Sequence, residues 1–107
     1  MTPAEAREIY IGELEAHGES ITLRRLPSTD IAVRARVTGY KPDEIGGDIM
    51  QGDRKVIVFA DDVTFDPPLR RGDKVVVRGA LLNIAVVDDN TRRIAGELIA
   101  YELAARG

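Results

Sequence analysis

Apolar residues recur at three- and four-residue spacing at the start of the chain and at two-residue spacing through much of the rest. Ala6, Ile9, Tyr10 and Leu14 form one apolar stripe, which predicts a helix over 2–17. Thr2 suits the N-cap, Pro3 the first helical position, and Glu5 the far side of a capping box. Glu8, Glu13 and Glu15 fall on other faces. Gly18 is expected to end the helix in a left-handed conformation. Such a helix packs on its own domain or docks on a neighbouring subunit.

Beyond Gly18 the period changes to two. Glu19 to Leu26 predicts a strand, with a bulge or strand end where the alternation fails at Arg25 and Leu26. Pro27 to Asp30 is a turn cluster. Ile31 to Thr38 alternates cleanly, with Ile31, Val33, Ala35 and Val37 on one face and Ala32, Arg34, Arg36 and Thr38 on the other. Lys55 to Ala60 is apolar with little alternation, as in a strand covered on both sides. Asp66-Pro67-Pro68 belongs to a connection, and Arg70 to Asp73 to a turn. Lys74 to Arg78 and Leu82 to Val87 are two further strands, followed by a turn of Asx character at Asp88 to Asn90. Arg92 to Leu103 is ambiguous between helix and strand: its Ala, Glu and Leu content favours helix, while Gly96 and the spacing of Ile99, Tyr101 and Leu103 favour strand. A last strand that closes a barrel leaves no open edges.

The sum is a mainly β fold in one domain spanning 1–107. It is a small antiparallel barrel of five to six strands over 19–107, with the helix at its N-terminus and no internal repeat. The strands at 55–60, 74–78 and 82–87 are apolar on both faces, and a single barrel has one inside. Their outer faces call for cover by the helix or by another subunit, which points to an oligomer.

One stretch does not fit a minimal hairpin. Between the strands ending at Thr38 and starting at Lys55 lies a connection, 41–52, where two residues would suffice. Loops of this length are functional or disordered. Gly46, Gly47 and Gly52 let it bend. Asp43, Glu44 and Asp48 against Lys41 give it a formal charge of −2. Ile45, Ile49 and Met50 are apolar side chains that a solvated loop does not need. Such an arm calls for a partner; a disordered surface loop is the competing reading.

Composition narrows the chemistry. The chain has 107 residues, 44% hydrophobic and 31% charged, which is globular composition. It has no cysteine, which excludes disulfides and thiolate metal sites. No apolar run is long enough to span a membrane, and the N-terminus is not a signal peptide, so a soluble protein made in the cytoplasm, with no membrane partner, is expected. A net charge of −3 and a pI near 5.1 argue against a dedicated nucleic-acid binder. His17 is the one histidine, so a zinc site is not expected. Asp61-Asp62 and Asp88-Asp89 lack the spacing of a calcium loop and suit turns. Ser20 and Ser28 stand in no nucleophile context, and Gly46-Gly47 is no phosphate loop. No catalytic constellation emerges, so neither enzyme activity nor a cofactor is expected. Arg34 and Arg36 share a strand face, and Arg70 and Arg71 form a doublet; these are candidates for docking an acidic partner, against the plainer reading of a solvated face.

Four stretches resemble one family: ITLRRL at 21–26, VRARVTGYKPDEIGGDIMQGDRKVIV at 33–58, RRGDKVVVRG at 70–79 and NIAVVDDNTRRIAGELIAYELAARG at 83–107. They look like the head-completion or head–tail joining proteins of long-tailed phages, prophages and gene transfer agents, the adaptors and stoppers of the connector. The resemblance implies a structural virion protein in the neck, a barrel assembled as a homo-oligomeric ring, a hexamer or dodecamer. It further implies contacts with portal or adaptor and tail proteins, and double-stranded DNA passing through the bore without sequence recognition. It implies that the last segment is a strand. It also implies that the inter-strand loop, residues 41–52, projects into the bore and helps to retain or gate DNA. An extended twelve-residue arm spans about 40 Å, so out and back it projects roughly half that. The alternative is a small OB- or SH3-like barrel that binds nucleic acid or protein on its own.

Overall fold

The computed structural model describes residues 1–107. Helix α1 runs Pro3–His17 and begins as its sequence dictates. The Glu5 amide donates to Thr2 Oγ1 at 3.1 Å and the Thr2 amide to Glu5 Oε1 at 3.0 Å, a complete capping box. Its C-terminus differs from expectation. Gly18 is extended (φ −84, ψ 173), not left-handed. The glycine is required for space: a Cβ there would stand 2.4 Å from the Leu14 carbonyl oxygen and 3.1 Å from that of Ala35. Helix and barrel meet at this point.

Strands β1 (Glu19–Arg25), β2 (Thr29–Gly39), β3 (Arg54–Phe59), β4 (Lys74–Val77) and β5 (Ala80–Asp88) follow. A short hairpin of β6 (Arg93–Ile94) and β7 (Glu97–Leu98) precedes the last strand, β8 (Ala100–Arg106). The sheet closes in the order β1-β2-β3-β8-β5-β4, every pair antiparallel. The mainly β barrel with one N-terminal helix is therefore the fold. β8 lies between β3 and β5, so the end of the chain completes the closure and leaves no free edge in the barrel. The ambiguous segment 92–103 is neither one helix nor one strand. Its first half is the hairpin, which turns at Ala95 and Gly96, both with positive φ, and its second half enters β8.

Of the bulge or strand end expected at Arg25 and Leu26, the structure shows the strand end: β1 stops at Arg25. The β1–β2 register runs unbroken to Arg25 opposite Thr29. The irregularity lies in β5, where the pairing with β8 shifts between Ile84 and Val86. An extra residue resets the alternation. Alternation from Leu82 and Ile84, which point into the barrel, would put Val86 inward next, but Val87 takes that place.

The barrel interior holds Leu23, Val56, Val58, Val75, Val77 and Leu103, all fully buried. Phe65 and Leu69, from the connection between β3 and β4, join this core. A second, smaller core lies outside the barrel, where Ala6 and Leu14 of α1 meet Phe59 and Ile99. The helix thus covers part of the outer apolar surface. It does not cover β5, where Leu81 remains 53% exposed.

Candidate functional site: the loop between β2 and β3

The loop begins with a short 3-10 turn, Pro42–Glu44. Glu44 organises it from both sides: it accepts from the Lys41 amide at 3.0 Å and from Lys55 Nζ at 2.6 Å. The lysine holds the Glu44 carboxyl below its usual range, with help from the Lys41 amide. Lys55 also lies over the Tyr40 ring, 5.1 Å from its centre, and the Tyr40 hydroxyl donates to the Leu103 carbonyl at 3.4 Å. Burial drives the Tyr40 pKa up to about 12, so this hydroxyl stays protonated and able to donate.

The tip is a tight reversal. Gly46 and Ile49 exchange two backbone hydrogen bonds of 3.0 Å across Gly47 and Asp48. Gly47 sits at φ +57, which a glycine adopts without strain. Asp43 and Asp48 are exposed, and their carboxylates have no partner. Ile45 and Met50 are 38% and 55% exposed, whereas Ile49 is half-buried.

The return leg is anchored at Asp53. Its amide donates to the Met50 carbonyl at 3.1 Å, and its carboxylate accepts the Met50 amide at 2.9 Å. Gly52 (φ +92) makes that turn possible. Arg106 of β8 then donates to both Asp53 oxygens at 2.8 Å, and to the Asp48 carbonyl at 3.0 Å. The guanidinium holds the Asp53 carboxyl below its ordinary value. The loop is therefore braced against the end of β8 and is not the free arm that its glycines suggest.

The same device occurs a second time. Asp73 closes the turn Arg70–Asp73: its amide donates to the Arg70 carbonyl at 3.1 Å, and its carboxylate accepts the Arg70 amide at 3.0 Å. Gly72 has φ +97. Arg25 clamps Asp73 at 2.9 and 2.7 Å, reaches the carbonyls of Pro67 and Pro68, and lies 4.5 Å from the centre of the Phe65 ring. Burial alone would push the Asp73 carboxyl up, but Arg25 and the Arg70 amide outweigh it and keep the pKa low. In sequence the pair reads Gly52-Asp53-Arg54 and Gly72-Asp73-Lys74, a three-residue match too brief to register as a repeat. The arginine partners, 53 and 48 residues away, carried no local signal.

The arginine candidates separate. Arg34 is engaged within the chain: it donates to the carbonyls of Leu14 at 3.1 Å and Gly18 at 2.5 Å, closing the C-terminal end of α1. Arg36 is exposed and has no hydrogen bond or ion pair. Arg70 and Arg71 are exposed, and their side chains are likewise free. Lys74, just after that turn, lies beside Arg24, which pairs with Asp30 near the start of β2; loop 41–52 leaves β2 from its other end. Around the other side of the barrel the turn and the loop base share one row, Asp73–Ile84–Ala105–Arg54, with β5 and β8 between them, and no hydrogen bond or ion pair joins Arg70 or Arg71 to the loop.

A cleft not anticipated from sequence lies between α1 and the outer face of β2 and β3. It has a volume of about 500 Å³, with Ile57 and Arg36 from the sheet, Ile9 and Tyr10 from the helix, and Arg92 and Ile94 among its lining residues. Arg92 donates to the Tyr10 hydroxyl at 2.6 Å and to Glu102 at 2.9 Å, and its Nε is buried without an acceptor.

No protein-family model and no curated protein sequence matches this chain. Among solved structures it is similar to the crystal structure of the ATP-binding sugar transporter-like protein from Salmonella typhimurium. The two share 24% identity with a TM-score of 0.53, over 96% of this chain and 88% of that one. At that identity the likeness extends to the fold and no further.

Proposed function

We propose that this protein is a structural component of a phage-type head–tail connector, a ring-forming adaptor or stopper in the virion neck. In this reading copies of the barrel form a hexamer or dodecamer between the portal side and the tail. Loop 41–52 of each copy faces the bore through which double-stranded DNA passes. It is a structural role, with no enzyme activity.

The observation that carries the reading is the form of the loop. An acidic tip with exposed Ile45 and Met50 is held in one form by Glu44–Lys55 and Asp53–Arg106 contacts that cost side-chain freedom. Its carboxylates repel phosphate, so it acts as an obstruction or a smooth wall and not as a clamp. Because the loop is braced, opening of the bore would come from movement of whole subunits.

The test is assembly of the purified chain with its portal-side and tail neighbours, followed by light scattering and DNA binding. Ring-sized particles and negligible binding of free single-stranded DNA are expected. A monomer that binds single-stranded DNA tightly by itself would instead support an independent nucleic-acid-binding barrel.

A further inference from the structure

Two uncovered surfaces lie on opposite sides of the chain. In the closed order of the barrel, β4 stands directly across from β3, and β5 across from β2. Helix α1 packs over β2 and β3, against Phe59 and above Arg36 and Ile57. The outward face of α1 and the outer face of β4 and β5 therefore point in opposite directions.

The outward face of α1 is acidic. Glu8, Ile11, Gly12 and Glu15 follow one another at helical spacing along it. Glu8 and Glu15 are exposed with no partner, as is Glu13 at the cleft edge, and Ile11 is 43% exposed. The cations nearby do not offset them. Arg7 is held between Asp61 and Glu97, and Arg34 closes the helix C-terminus. Arg36 lies beneath the helix, and His17 and the amino group of Met1 mark its two ends. Gly12 costs helix stability relative to alanine, yet a Cβ there would meet nothing within 4 Å. Nothing inside the chain calls for this glycine; a surface pressed onto the helix does.

The opposite face is apolar at its centre and basic along one side. Thr22, Val76 and Leu81 form one outward row across β1, β4 and β5, with Leu81 the most open. The next row is Arg24, Lys74, Asn83 and Arg106. Asp30 neutralises Arg24 and Asp53 neutralises Arg106, which leaves Lys74, bonded to the neutral Asn83, as the free charge. Arg70 and Arg71 stand free in the turn before β4. With Lys74 they outnumber the two unpaired carboxylates at the ends of this face, Asp66 near Arg25 and Asp48 near Arg106.

We propose that the outward face of α1 seats on the β4–β5 face of a second copy. Ile11 and Gly12 would cover Val76 and Leu81, and Glu8 and Glu15 would flank Lys74. One chain carries both halves of this match, and their opposite placement prevents them from meeting within it. The contact is heterologous and repeats from copy to copy, as ring closure requires. The inference rests on the ring reading above and adds which surfaces build the ring.

Charge exchange in the intact chain tests it. One double variant is Glu8→Lys, Glu15→Lys; the other is Lys74→Glu, Asn83→Glu. Sedimentation, alone and with the portal-side neighbour, is expected to show assembly weakened about tenfold in each and restored in their equimolar mixture, where every junction again pairs opposite charges. Gly12→Gln enters open space in the single chain. It is expected to raise the urea midpoint and still weaken assembly about tenfold. Rings that form unchanged from either double variant would overturn the contact and leave the ring reading standing. So would loss of assembly in both with native amide spectra and no recovery on mixing. A wild-type chain that stays monomeric alone and with its neighbour would overturn both.

Discussion

Arg106 grips both carboxylate oxygens of Asp53 at 2.8 Å and so fastens the last strand of the barrel to the base of its longest loop. The same guanidinium reaches the Asp48 carbonyl at the tip. Order in the loop's return leg therefore leans on this one side chain, while Glu44 and Lys55 brace the outgoing leg. Arg106→Met is expected to speed exchange of the Ile49 and Asp53 amides by about tenfold, with much smaller effects at Val58 and Leu103 in the sheet. Uniform changes across the chain would mean that the contact supports the barrel and not the loop in particular.

Asp73 is buried and Arg25 nearly so. Asp73→Ala leaves that cation and the Arg70 amide without their acceptor and is expected to cost about 3 kcal/mol in urea unfolding. Arg24→Ala, whose exposed pair with Asp30 is screened by water, should change stability little.

Acid should act through the two buried carboxyls. Asp53 and Asp73 both have folded pKa values below the ordinary 3.8. Above that value both folded and unfolded chains are ionised, and the pairs contribute in full. Below it the unfolded chain takes up protons first, so stability falls with pH until the folded carboxyls also titrate. Urea midpoints are expected to be flat from about pH 7 to 5 and lower at about pH 3. The fall should be smaller in the Asp53→Asn, Asp73→Asn double variant.

Gly18→Ala tests the junction of helix and barrel. The new methyl would meet the backbone carbonyls of Leu14 and Ala35, neither of which is a flexible side-chain end. A loss of about 2 kcal/mol is expected. Because φ is ordinary here, the cost arises from crowding alone, and chemical shifts should move at Leu14 and Ala35.

Legibility tracked sequence distance. The capping box at Thr2 and Glu5, the alternation of Ile31 to Thr38 and the Asx turn at Asp88, which accepts from the Asn90 and Thr91 amides, all lie within a few residues and were readable. The bulge in β5 was not, because Val86 and Val87 are both apolar and either one satisfies the pattern. Arg34 looked like a docking residue because its partners, the carbonyls of Leu14 and Gly18, are backbone atoms that no side-chain pattern marks. The bracing of loop 41–52 was hidden likewise, since Arg106 approaches only once the barrel closes.

Deletion of 43–50 should leave the barrel folded, as judged by an intact amide spectrum for β1 to β8, but prevent completion of particles. Charge reversal at Arg71, whose side chain makes no hydrogen bond or ion pair, should weaken stacking of the ring on its neighbour with little loss of stability, whereas at Arg70 it also removes a charge that favours the buried Asp73 carboxylate. Particles that lack 43–50 yet retain DNA and join tails would remove the basis for a role of the loop at the bore.

The most direct measurement is electron cryo-microscopy of the protein assembled with its neighbours, reading the position of Ile45 to Met50 relative to the ring axis. A closed ring with every acidic tip lining the central opening is the expected result. Tips lying on the outer rim, or a chain that enters no ring, would contradict the account.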